Sequence, residues 1–238
     1  MLSSKASPSH FNNHLLAALP REEYARLSPH LEMVQLPAGR ILYEAGGSIR
    51  YAYFLKGGMA SLLSVTEDGD SVEVGMIGNE GVVGLPAILR INAAPYRVVM
   101  QLSGNALRLR ADILKAEFSR GDRLQELLLS YMHTLLTQIS QSAACNRYHT
   151  MKARLCRWLL ISRDRVHTDT LHLTQEFLSQ MIGAPRTRVT MVAGDLQRAG
   201  LIRYSRGKIN ILNKQGLEAN SCECYRIVRE QITHFLAA

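Results

Sequence analysis

Short apolar runs separated by glycine-rich turns dominate residues 34–109. Turn signals include Pro37-Ala38-Gly39, Gly46-Gly47, Lys56-Gly57-Gly58 and Asp68-Gly69, and the runs between them alternate or are continuously apolar. Many short strands at this spacing are typical of an antiparallel barrel or jelly roll. We therefore expect residues 1–120 to form an N-terminal antiparallel β-roll domain that begins with short helices.

The pattern changes to a helical period after Gly121. Asp122 can cap a long helix, along which apolar residues recur three or four positions apart. Such a stripe favours a helix that packs on its own chain along one edge and on a second copy along the other. We expect residues 121–149 to be a dimerisation helix and hinge, with Leu124, Leu128, Tyr131, Leu135 and Ile139 as the dimer-helix residues. The alternative is a helix that packs wholly inside one chain.

Two short helices joined by a tight turn are predicted for residues 173–201. Gly183 can adopt the left-handed turn, and Ser179, four residues earlier, lets the second helix cross closely over the first. Val189 and Val192 follow at six and nine residues after the glycine and press the second helix onto a core. This pattern indicates a helix-turn-helix; the alternative is a buried helical hairpin of an ordinary α-domain.

The opposite face of that second helix stays free and carries a cation and several hydrogen-bonding groups near its start. An exposed helix of this kind fits the major groove of duplex DNA, with its first turns against base edges. Beyond Gly200, two strands around Ser205-Arg206-Gly207 predict a hairpin wing whose tip cation can touch phosphate. Residues 150–238 are therefore expected to form a winged helix-turn-helix domain.

Charge is divided unevenly along the 238 residues. Residues 1–146 hold 13 basic and 13 acidic side chains, whereas residues 147–238 hold 15 basic and 7 acidic ones, so the whole net charge of +8 lies in the second part. A basic domain attached to a neutral one indicates that the second half meets a polyanion. The alternative is a solvated basic face. Because the basic half of the chain also contains the predicted helix-turn-helix, we favour DNA as the polyanion.

Other function classes find little support in the composition. No apolar run approaches the ~20 residues needed to span a bilayer, and no signal-peptide core is evident, so we expect a cytoplasmic protein with no membrane partner. No histidine lies between His30 and His133, which argues against a metal-dependent cupin barrel. No nucleophile–base pair is evident either, so we do not expect an enzyme.

The segments LTQEFLSQMIGAPRTRV, LIRYSRGKI, LPAGRILYEAGG and YFLKGG together resemble the Crp/Fnr family of bacterial transcription regulators. The resemblance covers nearly the whole chain and implies an α+β fold: a cyclic-nucleotide-binding-like β-roll, a long dimerisation helix and a C-terminal winged helix-turn-helix. It also implies a homodimer that binds a near-palindromic site on double-stranded DNA and contacts RNA polymerase. The alternative function is a cyclic-nucleotide- or metabolite-binding signalling module whose winged helix mediates protein contacts.

The resemblance assigns roles residue by residue. The base-reading positions are Arg186, Thr187, Thr190 and Met191, and the phosphate-binding positions are Thr174, Gln175, Arg188, Arg206 and Lys208. Arg186 is suited to guanine O6 and N7. Positions 187 and 191 often hold Glu and Arg in the family, so the operator should differ from that of the cyclic-AMP receptor protein.

The sensor half departs further from the family. A Gly-Glu-Leu segment and a later Arg-Ser pair hold the cyclic nucleotide in the family, whereas this chain has Leu85 in place of the glutamate and Ala94-Pro95 near the arginine position. A buried phosphate without its cation is costly, so we expect no response to cyclic AMP or cyclic GMP. The candidate effector pocket comprises Gly84, Leu85, Tyr96 and Arg97, and the effector is unknown.

Four cysteines among 238 residues give no disulfide framework. The N-terminal cysteine cluster of an Fnr-type iron–sulfur sensor is also missing, because the first cysteine is Cys145. Cys222 and Cys224 could supply half a zinc site or a redox pair, with His234 as a remote helper. The interpretation we favour is two cysteines on an ordinary C-terminal helix, with no metal and no cofactor identified. Cys145 and Cys156 are expected to be packing residues.

Overall fold

The computed structural model describes residues 12–89, 91 and 93–237, and the account of the fold concerns these residues. Two short helices precede the barrel, α1 (His14–Ala17) and α2 (Arg21–Leu27). Asn13 caps α1 by accepting a hydrogen bond from the Leu16 amide. The strands that follow are β1 (Glu32–Leu36), β2 (Ile41–Tyr43), β3 (Tyr51–Leu55), β4 (Met59–Val65), β5 (Ser71–Ile77), β6 (Val82–Val83), β7 (Arg97–Leu102) and β8 (Gly104–Arg110).

The eight strands form two antiparallel four-stranded sheets, in the orders β1-β8-β3-β6 and β2-β7-β4-β5. Their inward side chains, among them Leu36, Phe54, Leu62 and Met100, are fully buried in one hydrophobic core. Because alternate residues of a strand point to opposite faces, the period of two in the sequence produces this core directly. The prediction of an antiparallel β-roll is confirmed.

Helix α3 (Ala111–Phe118) leads into the long helix α4 (Arg123–Tyr148). The predicted dimer-helix residues Leu124, Leu128, Tyr131 and Leu135 are buried against the barrel within the same chain, and Ile139 packs partly against that core. The first four of these residues are therefore corrected, because the barrel and α1 occupy that part of the apolar stripe, whereas the half-buried Ile139 stays a candidate. The leucines Leu129 and Leu136 lie on the outer side of α4 and are 43% and 61% exposed.

The C-terminal part has the order of a winged helix-turn-helix. Its elements are α5 (Met151–Val166), β9 (Thr170–His172), α6 (Gln175–Ile182), α7 (Arg186–Arg198), β10 (Ile202–Ser205), β11 (Lys208–Ile211), α8 (Lys214–Asn220) and α9 (Cys224–Ala237). Strand β11 lies between β10 and β9 in an antiparallel sheet. None of the helices among the described residues has the length and apolar character that crossing a bilayer requires.

Two boundaries differ from the sequence-based expectation. Residues 146–148, predicted as part of a hinge, continue α4, and the chain leaves the helix at His149. The tail predicted as one helical segment consists of two helices, because Ser221 has an extended backbone and ends α8 before Cys224 begins α9. Cys222 therefore lies between two helices rather than on one.

The C-terminal part packs on the outer face of the second barrel sheet. The Arg165 guanidinium of α5 lies 2.9 Å from the Glu80 carboxylate, and both side chains are almost fully buried. Arg165 also donates to Gln138 of α4 at 3.0 Å, and Trp158 donates through Nε1 to Glu73 of β5 at 2.9 Å. Polar contacts buried this deeply hold α5, α4 and the barrel in one arrangement.

Candidate nucleic-acid interface

The turn between α6 and α7 is set by local backbone geometry. Thr174 caps α6 by accepting a hydrogen bond from the Phe177 amide at 3.1 Å, as is typical of an N-cap threonine. Gly183 ends α6 with φ of +61°, a left-handed conformation that glycine adopts without a steric penalty. The Ala184 amide then donates to the Ser179 carbonyl at 3.0 Å, and α7 begins after Pro185.

Helix α7 has one buried and one exposed face. Val189, Ala193 and Leu196 are buried in the core of the C-terminal part. The opposite face is exposed over its first turns. The Arg186 side chain is 63% exposed, and Met191 as a whole residue is 70% exposed. The residues exposed there are Arg186, Thr187, Arg188, Thr190 and Met191. Because these residues are exposed in the described part of the chain, the face is accessible to a groove.

The side chains on this face are held only loosely. The Arg186 guanidinium lies 3.9 Å from the Glu176 carboxylate, and both groups are well exposed. Exposed ion pairs contribute little free energy, so Arg186 can leave Glu176 for another partner. The Thr190 hydroxyl lies 3.0 Å from Gln175 Oε1 and 2.9 Å from the Arg186 carbonyl, which brings the start of α6 next to the exposed face of α7.

The wing is a two-residue hairpin between β10 and β11, in which Ser205 pairs with Lys208. Arg206 and Gly207 have φ of 48° and 74°, the two left-handed residues of a type I′ turn. A left-handed conformation costs a non-glycine residue about 1–2 kcal/mol, so local conformational preference does not explain an arginine at this tip. The Leu173 amide donates to the Gly207 carbonyl at 2.8 Å, which ties the wing to the start of α6.

The turn and the wing thus bring the predicted phosphate-binding residues to one surface. Thr174, Arg188, Arg206 and Lys208 are exposed, and Gln175 is half-buried. The arrangement combines a free α7 face with cations from the helix and the wing, which suits a groove flanked by phosphates.

Models of two families match the chain in consecutive segments. The cyclic nucleotide-binding domain matches residues 33–120, and the Crp-like helix-turn-helix domain matches residues 153–220. The chain belongs to the Crp/Fnr family of transcription regulators. Membership of this family assigns it to the regulators rather than to the enzymes.

Relatives of this Crp/Fnr chain include two cyanobacterial proteins named global nitrogen regulator. The one from Synechococcus elongatus is 22% identical over 79% of this chain and 88% of its own length. The one from Synechocystis is 23% identical over 85% of this chain and 93% of its own length.

Solved structures of the Crp/Fnr family share the fold. A regulator from Eubacterium rectale superimposes with a TM-score of 0.69 at 19% identity, covering 89% of this chain and 97% of its own. FixK2 from Bradyrhizobium japonicum gives the same TM-score at 14% identity, covering 81% and 98%. Identities this low show the common fold alone.

The predicted effector-pocket residues of this Crp/Fnr chain differ in burial: Gly84 and Leu85 are buried, and Tyr96 and Arg97 are half-buried. Leu85 is 4% exposed and belongs to the barrel core. Arg97 pairs with the Glu44 carboxylate at 2.7 Å on the outside of the sheet, so its charge is already compensated. Gly84, with φ of +107°, lies beside the Tyr43 hydroxyl, and burial raises the pKa of Tyr96 to about 12. The effector pocket of Gly84, Leu85, Tyr96 and Arg97 stays a prediction.

A cluster of which the sequence analysis named only the Cys222–Cys224 half lies at the other end of α4. Cys145, His149, Cys222 and Cys224 bring their ligand atoms to within 4.8 Å of one another. Hydrogen bonding from Cys145 lowers the pKa of Cys222 to about 5. The helical i, i+4 spacing of the first pair was a usable signal, but joining it to residues 77 positions away required the tertiary structure.

The earlier expectations for these cysteines change accordingly. Cys145 belongs to this cluster rather than to the apolar core, and His149 takes the place expected for His234 among the residues grouped there. Cys156 is fully buried in the core of the C-terminal part, as expected of a packing residue.

Proposed function

We propose that this Crp/Fnr regulator is a homodimer that binds a specific, near-palindromic site on double-stranded DNA. The observation that carries the proposal is the exposed face over the first turns of α7, beside the wing. In each chain α7 enters the major groove, and two copies meet half-sites one helical turn apart. A regulator of this kind works at the chromosome, so the proposal includes a cytoplasmic location and a contact with RNA polymerase.

Contacts with DNA divide into two sets. Arg186, Thr187, Thr190 and Met191 meet base edges, with Arg186 donating to guanine O6 and N7. Thr174, Gln175, Arg188, Arg206 and Lys208 meet phosphates, and they fix the position of α7 without reading sequence. The left-handed Arg206 supports this division, since a conformational cost retained at a wing tip favours a functional role.

Dimerisation uses the outer edge of α4. Leu129 and Leu136 lie seven residues apart and are exposed. With the half-buried Met132 and Ile139 they form a series, 129, 132, 136 and 139, whose members are alternately three and four residues apart. This repeat is the a/d pattern of a coiled coil. The proposal keeps residues 1–120, 121–149 and 150–238 as the sensor-like domain, the dimerisation helix with its hinge, and the DNA-binding domain.

The barrel does not respond to cyclic AMP or cyclic GMP in this proposal. Leu85 in place of the family's glutamate supports it, and so does the Arg97–Glu44 ion pair, which a cyclic phosphate would have to break to use Arg97. Addition of either nucleotide should leave both the melting temperature and the DNA affinity unchanged.

The test begins with selection of bound sequences from random duplex DNA by the full chain. Affinity for the selected site and for a scrambled duplex is then measured by fluorescence anisotropy at several salt concentrations, where binding should weaken steeply as salt rises. Arg186→Ala should lose about 1–3 kcal/mol, roughly 5- to 150-fold, on the selected site only.

Arg198→Ala is the matched control for that experiment. It removes the same charge from the same helix at a position about 18 Å further along the axis, where Arg198 is exposed and pairs with Asp195. Equal losses for the two variants, or an unchanged ratio of selected to scrambled affinity for Arg186→Ala, would contradict the base-reading role. Thermal stabilisation by a cyclic nucleotide without salt-sensitive DNA binding would favour a signalling module instead.

A further inference from the structure

The last turn of α4 and the break between α8 and α9 bring three thiols and one imidazole together. Cys145 and His149 lie one helical turn apart, and Cys222 and Cys224 flank a single residue at the break. The Sγ atoms of Cys145 and Cys222 are 3.5 Å apart, and Cys224 Sγ lies 3.4 Å from His149 Nδ1. All four ligand atoms lie within 4.8 Å of one another.

The two shortest of these separations are close to the edges of a tetrahedron around one metal ion, and the 4.8 Å limit on the others leaves about 1 Å for the ligands to close on the ion. With Zn–S bonds of about 2.3 Å and Zn–N bonds of about 2.0–2.1 Å, tetrahedral angles place two thiolates about 3.8 Å apart and a thiolate and an imidazole nitrogen about 3.5 Å apart. Three cysteines with one histidine is also a common ligand set of closed structural zinc sites. Both the residue types and the distances therefore fit zinc.

The surroundings of the cluster hold its ligands in place. The Glu223 carboxylate lies 3.2 Å from His149 Nε2, which leaves Nδ1 to face the thiols. Carboxylates that orient a metal-binding histidine in this way are the usual outer partners of zinc sites. Gln141 donates from Nε2 to Cys224 Sγ at 3.0 Å, and all three cysteines are buried. The thiols are thus shielded from water while the imidazole remains at the rim.

Other chemistries fit this geometry less well. An iron–sulfur cluster places several iron and sulfide ions between its thiolates, and these need more room than four ligand atoms within 4.8 Å provide. A disulfide between Cys145 and Cys222 would leave the close approach of Cys224 Sγ to His149 Nδ1 without a role, and the 3.5 Å between the Cys145 and Cys222 Sγ atoms is longer than a disulfide bond of about 2.0 Å.

We propose that Cys145, His149, Cys222 and Cys224 bind one structural zinc ion, which ties the end of α4 to the C-terminal helices of the DNA-binding domain. The site spans the chain between the helix proposed for dimerisation and the domain that carries α7. Zinc would therefore fix the direction in which each α7 points relative to the dimer axis. The metal site itself does not depend on the proposed dimer or on DNA binding.

The test uses the full chain, purified without an affinity tag that binds metal. Elemental analysis should find one zinc per chain, and replacement by Co²⁺ should give the visible d–d bands of a tetrahedral site with thiolate charge transfer. Cys222→Ser and Cys224→Ser should each lose most of the bound metal. Cys156→Ser is the matched control, since it removes another buried thiol of the same chain and should keep one zinc.

A second variant and a reconstitution keep the outcome clear if a serine variant folds poorly. Glu223→Gln, which changes only the outer partner of His149, should keep the one-to-one stoichiometry and weaken zinc affinity by roughly 10- to 100-fold in a chelator competition. The chelator-treated wild-type chain should take up one Zn²⁺ again. Iron with acid-labile sulfide, a native Cys145–Cys222 disulfide, or full zinc retention in Cys222→Ser would overturn the proposal, as would failure of the wild-type chain to bind zinc.

Discussion

Glu73 provides a pH-dependent link between the barrel and the DNA-binding domain. Its carboxylate lies in β5, accepts a hydrogen bond from Trp158 Nε1 of α5 at 2.9 Å, and contacts the Ser61 hydroxyl of β4. Burial raises the pKa of Glu73 to about 7, against smaller opposing effects of these hydrogen bonds and of the Arg157 and Arg165 charges. Replacement by glutamine removes the ionisable group while an amide oxygen can still accept from Trp158.

The sign and size of the effect follow from the shift. A carboxyl with a raised pKa in the folded chain favours folding fully below the unfolded pKa of 4.5, and this contribution is lost as pH rises through about 7. A shift of about 2.5 units corresponds to at most about 3 kcal/mol. We therefore expect Glu73→Gln to match the wild-type stability near pH 4.5 and to exceed it by up to about 3 kcal/mol at pH 8.

Urea denaturation between pH 4.5 and pH 8 measures this difference. Glu67→Gln, at the exposed tip of the β4–β5 hairpin, is the control for loss of a charge without burial and should shift stability by less than about 0.5 kcal/mol at any pH. The reasoning is refuted if the difference between Glu73→Gln and the wild type is constant across the pH range, because Glu73 would then stay in one ionisation state.

Three further perturbations test other parts of the structure. Glu80→Leu should destabilise the chain by about 3–5 kcal/mol in denaturation, because it leaves the Arg165 charge buried and unpaired. Adding Arg165→Met should recover most of that loss, and losses that simply add in the double variant would contradict the pairing. Leu136→Glu should convert a dimer to a monomer in analytical ultracentrifugation. The variant monomer should unfold at the same midpoint as the wild-type monomer, and a persisting dimer would exclude this edge of α4 as the interface. Arg206→Gly should relieve the left-handed backbone strain and raise the free energy of unfolding by up to about 1–2 kcal/mol. It should also lower affinity for all duplexes alike and reduce the slope of log affinity against log salt concentration by about one; a loss confined to one sequence would contradict a phosphate contact.

Local features account for the parts of the fold that sequence reasoning predicted well. The helix-turn-helix depends on Gly183, on a cap at Thr174 and on apolar positions within one segment, so its geometry is encoded over fewer than thirty residues. The hairpin wing likewise follows from Gly207, which favours the left-handed backbone of a tight turn between two strands. The β-roll was predictable as a class because glycine turns and period-two runs recur throughout it.

Features that depend on which surfaces meet were not predictable in the same way. The apolar residues of α4 cover more than one edge, and the sequence does not state which edge the barrel takes; the structure gives the barrel Leu128 and Tyr131 and leaves Leu136 outside. Leu85 takes the position of the family's glutamate and Arg97 lies near the family's arginine position. The sequence alone does not show that Leu85 packs in the barrel core or that Arg97 pairs with Glu44.

The turn glycine of the helix-turn-helix also touches the barrel. A Cβ atom at Gly183 would come within 2.7 Å of Val72 Cγ2 on β5, in addition to the strain of its positive φ. A substitution at residue 183 therefore pushes apart the two halves of the chain as well as distorting the turn. Gly183 and Val72 thus place the β4–β5 hairpin in direct contact with the turn before α7, so a change in the position of one requires the other to adjust.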